Sequence, residues 1–280
     1  MNRLFDHAHL LDGALARACA YMALAMLSGM QLWEWRLQRL LAWRQYFNWT
    51  AFALGSAALL LALNSAALSG EDAFNAAAMS VASPGEMLEL LRFSAFGHAW
   101  LAYWLCLLAA VSCWKSWVAR TACLAMLGAL ALASHAGELG MWNWTYWIDL
   151  AHMGCALLWL GGMSLMLVLR LADNSWMSLR EFSFFSRVAL PVFLLALASG
   201  AARAWLQYAE EGGLGWTYAA MLGLKLAAVA AIAACAWQLR RLLRQPGFSM
   251  AAYDNGLTLE FFFALVLVLF TSLLTQLPPD

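Results

Sequence analysis

Apolar residues come in long runs along this chain, and polar residues gather between the runs. A helix needs ~20 residues to cross a ~30 Å hydrocarbon core. On that measure eight spans are predicted, near 10–32, 46–68, 93–113, 117–136, 145–169, 184–207, 216–239 and 257–277. The connections are short except for 69–92, and no Pro- or Ser-rich linker separates a second unit. Residues 1–280 therefore read as a single all-α polytopic membrane domain. Arginines and lysines set its orientation. Arg36, Arg39 and Arg44 follow the first span, and Lys115 and Arg120 the third. Arg170, Arg180 and Arg187 bracket the turn after the fifth, and Arg240, Arg241 and Arg244 follow the seventh. All four clusters fall on one side, which the positive-inside rule assigns to the cytoplasm. Both termini are then expected on the opposite, outer side.

Composition agrees with this pattern. Hydrophobic residues make up 64% and charged residues 11% of the chain, the balance of an integral membrane protein. The formal net charge is zero, so no broad basic field points to a nucleic-acid partner. The opening MNRLFDHAHLLD places acidic residues ahead of the first apolar run and is not expected to be a cleaved signal peptide. Six cysteines occur without a CxxC pair. Five read as small buried hydrophobes and Cys155 as a candidate ligand. Sixteen tryptophans, among them Trp142, Trp144 and Trp147, read mostly as interfacial belts.

The chemistry concentrates in 144–169, WTYWIDLAHMGCALLWLGGMSLMLVL. Ionisable side chains in lipid cost several kcal/mol unless they are paired or face water, so they mark functional sites. Asp149, His152 and Cys155 recur every three residues and share one side of a helix, with Met153 on its flank. Carboxylate, imidazole, thioether and thiol are all metal ligands. The alternative for His152 is a hydrogen-bonded structural residue. All five histidines fall on the outer side of the predicted topology: His7 and His9 before the first span, His98 in the third, His135 at the end of the fourth, and His152 roughly 10 Å below the surface. Met22, Met26 and Met30 form a stripe on the first span that reads either as packing or as a soft-ligand ion path, and Met79, Met87 and Met141 are outer-side candidates for capture. Lys225 near the midplane and Glu260 near the inner end of the last span are further intramembrane charges.

In order along the chain, HAG at 135–137, DLAHMGCALLWLGGM at 149–163, FSFFSRVALPVFLLALASGAARAW at 182–205, YAAMLGLKLAAVAAIAA at 218–234 and LTLEFFFALVLVLFTSLLTQLPP at 257–279 resemble the copper resistance protein D (CopD) family of bacterial inner-membrane proteins. The resemblance is strongest over 135–279 and looser before it, where FGHAW carries His98. It implies copper, as Cu(I) or Cu(II), handled across the inner membrane beside a periplasmic CopC-like partner, with both termini periplasmic. It draws attention to His135, Asp149, His152, Lys225 and Glu260. The expected function is copper import without enzymatic catalysis: His7, His9 and the outer methionines capture the ion, and His98, His135, His152 and Asp149 hold it. Two alternatives use the same histidines, a haem b redox protein and a copper chaperone that does not translocate.

Overall fold

The computed structural model describes residues 8–34, 41–68, 81–113, 117–134, 140–172, 179–211, 215–245 and 247–275. Among them the secondary structure is all helical: α1 (Ala8–Glu34), α2 (Leu41–Leu68), α3 (Pro84–Phe93), α4 (Ala95–Ser112), α5 (Trp117–Leu132), α6 (Trp144–Ala172), α7 (Leu179–Glu211), α8 (Trp216–Arg244) and α9 (Met250–Leu274). Seven of these are long and apolar enough to cross a membrane. The eighth predicted span is the shorter apolar helix α5.

Helices α1 and α6 form the centre. They are the most buried of the long helices and pack directly on each other. Gly29 and Gly161 permit that approach, because a Cβ on either would run into backbone of the other helix, the carbonyl of Gly161 or of Ala25. Small residues at a crossing are the usual means of bringing membrane helices close when no hydrophobic drive acts between them. At the arginine-rich end the crossing is closed by Trp33, whose indole N–H donates to the Gly162 carbonyl at 3.0 Å while its ring stacks on Phe185. On one flank α1 carries α2 and α5, and α4 bridges those two. On the other flank α6 carries α7, and the α8–α9 hairpin rests through α9 on α1 and α6. Helices α7 and α8 have the least buried apolar stretches and touch each other little.

Two boundaries differ from the sequence expectation. The connection 69–92 contains helix α3, begun by a reciprocal cap in which the Glu86 amide donates to Ser83 Oγ and the Ser83 amide to Glu86 Oε2. Ser94 then ends α3 and caps α4, its Oγ accepting from the Gly97 amide at 2.8 Å. Helix α5 stops at Leu132 rather than Ala136. At 1.5 Å per residue it is about 24 Å long, short of the ~30 Å core. Its terminal carbonyls are met by a neighbour: Arg17 of α1 donates to Leu130 O at 3.0 Å and to Ala133 O. A buried guanidinium thus satisfies acceptors that lipid could not.

Candidate functional site

Between the central pair and the outer helices lies a cleft of about 110 Å³. Its polar lining comes from Tyr21 (α1), His152 (α6), Lys225 (α8) and Thr271 (α9), set among apolar neighbours such as Met153 and Phe193. His152 stands eight residues into α6 and Lys225 nine into α8. Both helices run the same way, so the two side chains start about 12–14 Å below the same end.

One contact fixes the imidazole. His152 Nδ1 lies 2.8 Å from the carbonyl oxygen of Ala196 on α7. A carbonyl only accepts, so Nδ1 carries the proton and Nε2 keeps its lone pair. The ring can sit there because residue 200 is glycine: a Cβ at that position would be 2.8 Å from His152 Cε1. The same pattern, one ring nitrogen anchored to a carbonyl and the other open, is how metal-binding histidines are held. The sequence pairing of Asp149 with His152 is thereby revised. Asp149 accepts from Ser134 Oγ at 3.3 Å and acts on the imidazole through its charge alone.

Asp149 is also within electrostatic reach of Tyr21, Tyr218 and Lys225. Arg17 adjoins Tyr21 and lies 5.7 Å from the Trp100 ring, and Tyr218 donates to Gln207 Oε1 at 2.7 Å. Arg203 is close to Tyr218, with Nη1 buried and without a partner among the described residues. These groups form a polar belt around the end of the cleft away from Arg187 and Arg240. Arg17, Tyr21, Arg203, Gln207 and Tyr218 are absent from the sequence reading. The two arginines could have been found there as charges inside predicted spans.

The other candidates separate. His7 and His135 lie outside the described residues, as does Met79, and His9 is described only as part of the α1 backbone. His98 is exposed, with Nε2 3.0 Å from Arg92 O at the end of α3, and α4 packs on α2, α3 and α5. Its geometry is that of a helix-end contact. Met153 reaches the cleft and is buried; Cys155 is a half-buried free thiol away from its lining. Met30 belongs to the buried core, and Met22 and Met26 pack against it, the packing alternative for that stripe. Glu260 is buried near Arg240 at the arginine-rich end, far along α9 from Thr271. The two intramembrane charges Lys225 and Glu260 thus serve separate places.

Among the described residues no three His, Cys, Asp or Glu side chains gather as a metal cage. What the cleft offers a soft ion is one imidazole nitrogen and one thioether. The haem alternative needs two histidines facing one macrocycle, and among the described residues His152 is the only one lining this cleft. Its volume is also well under the ~300 Å³ at which pockets for drug-sized ligands begin.

Residues 179–274 match the family model for copper resistance protein D. That segment is α7, α8 and α9, which supply Ala196, Lys225 and Thr271; His152 and Asp149 lie outside it. No curated protein and no solved structure matches the chain. Over its last three helices, about one third of its length, the chain is thus similar to copper resistance protein D, and its apolar helices fit a multi-pass membrane protein.

Proposed function

We propose that the protein imports copper across the bacterial inner membrane, and that the ion passes through the cleft by way of His152. The observation that carries this reading is the anchored imidazole: Nδ1 is tied to Ala196, and Nε2 is left open in a half-buried cleft beside Met153. An imidazole and a thioether suit copper, with the thioether favouring Cu(I). Two donors are fewer than the four of a closed structural metal site, as befits a cargo that must leave again. His7, His9 and His135 would add ligands on the way in, and a periplasmic CopC-like protein would deliver the ion. The protein is a carrier and catalyses no reaction.

Lys225 gives the cleft a second role. A charged lysine lining the same cleft as His152 opposes a cation at Nε2. Copper entry therefore goes with departure of the lysine proton to outer water, one positive charge replacing another. Transport by this route is coupled to protons.

The test is copper uptake into proteoliposomes loaded with a copper-responsive dye, with binding and the absorption spectrum measured on the same preparations. Wild-type protein should bind and move copper without a Soret band. His152→Ala should lose both activities and His98→Ala should retain them. Undiminished flux in His152→Ala refutes the route, copper binding without flux means a chaperone, and a Soret band means a haem protein.

A further inference from the structure

The seam between α7 and α8 has a second cavity, at the arginine-rich end. It is a notch of about 360 Å³ lined by Ser183, Ser186, Arg187, Leu190, Arg240 and Arg244, with Leu243 beside them. Three guanidinium groups from two helices face one space, where like charges repel unless an anion joins them. Two of them are held in place by α7 backbone: Arg240 donates through Nη2 to Ser186 O, and Arg187 through Nε to Ser183 O at 3.3 Å. The remaining N–H groups of these forks, with Arg244, are the donors that bind phosphate oxygens in pairs. Glu260 is the acidic group near Arg240, one carboxyl beside three guanidinium groups.

The seam above the notch indicates where such an anion comes from. Leu190 lines the notch and Leu197 lines the His152 cleft, about 10 Å further along α7. Between them Leu194 is 53% exposed, and Trp237 on α8, three residues before Arg240, is 64% exposed. The helices are tied at one end by Arg240–Ser186 and at the other by the chain connection and Tyr218–Gln207, and they touch little between. A cationic notch continuous with an apolar groove matches a phosphate carried on acyl chains. We propose that this seam is a binding site for a phosphate group, the head group of one anionic phospholipid of the arginine-side leaflet, whose chains fill the gap between α7 and α8. Basic pockets between membrane helices on the cytoplasmic side are suited to such head groups.

The experiment is native mass spectrometry of the full chain in detergent, titrated with phosphatidylglycerol, phosphatidylcholine or inorganic phosphate. The comparison set is wild type, Arg187→Gln/Arg244→Gln, Arg244→Gln alone and Arg120→Gln, the last altering an exposed arginine of the same side on α5. One phosphatidylglycerol should remain bound at least tenfold more tightly than phosphatidylcholine. The double variant should lose that preference, Arg244→Gln should weaken it several-fold, and Arg120→Gln should leave it intact. Inorganic phosphate should fail to displace the lipid at millimolar concentration. Equal affinity for the two lipids, or equal losses in Arg120→Gln and the double variant, overturns the site. Displacement by millimolar inorganic phosphate overturns the lipid as occupant and leaves a free-phosphate site. Size-exclusion profiles identify a double variant that fails to fold, in which case Arg244→Gln alone decides.

Discussion

An imidazole in an apolar helix has two ring nitrogens to satisfy, and His152 resolves them differently. Its Nδ1 is held by Ala196, and its Nε2 has no hydrogen bond among the described residues. Glycine at 200 makes this geometry reachable. In Gly200→Ala the methyl group would meet the ring, and the imidazole would have to turn away from Ala196. The expected result is copper affinity lower by about tenfold, the low end of what outer-shell partners of metal ligands contribute, in a chain that still folds. A competition titration against a copper chelator measures it, and unchanged affinity means that the Ala196 bond does not orient the ligand. Lys225→Met is expected to uncouple flux from an imposed pH gradient in proteoliposomes; flux that still follows the gradient removes Lys225 from the mechanism. His152, Asp149 and Lys225 were legible in the sequence because charge and imidazole are conspicuous in apolar runs. That His152 and Lys225 share one cleft, with Asp149 in electrostatic reach, was not, since the order of helices around α1 and α6 leaves no mark on the spans themselves. Arg17 and Arg203 carry the same signal, but counting arginines only beyond the runs leaves them out.

Among the helices, α5 shows best how one element depends on another. It ends early because Arg17 supplies donors at its last turn, a contact across more than 110 residues of sequence. Arg17→Met would leave acceptors at Leu130 and Ala133 unmet. Each such buried group costs about 1–3 kcal/mol. The expected outcome is a lower melting temperature in detergent together with faster amide exchange at 129–134. Protection equal to wild type means that water caps the helix instead. Span positions were readable from hydropathy, whose length scale is set by the bilayer. The end of α5 and the presence of α3 depend instead on a distant guanidinium and on a local cap at Ser83, which a count of apolar residues does not register.

For the molecule as a whole, the two ends of the bundle are secured differently. At the arginine-rich end Arg170 grips Asp254 with two hydrogen bonds, Nε to Oδ1 at 3.0 Å and Nη2 to Oδ2 at 2.7 Å, joining α6 to α9. Arg170 is 4% exposed and Asp254 35%, so removing the carboxylate takes two charge-assisted hydrogen bonds from a buried guanidinium. Asp254→Ala should therefore lose about 3 kcal/mol, the lower end for a broken buried pair, read as a clear fall in melting temperature; a shift no larger than that of a surface control contradicts this. At the other end α7 stops at Glu211 and α8 starts at Trp216, so the chain itself joins the two helices, and Tyr218 donates to Gln207 across that turn. Helix α8 is thus held to α7 at both tips, there and through Arg240 to Ser186, while the two helices touch little between. Held in this way α8 yields as a bow does, at its middle, so the cleft gives toward the lipid before either end of the bundle has to move.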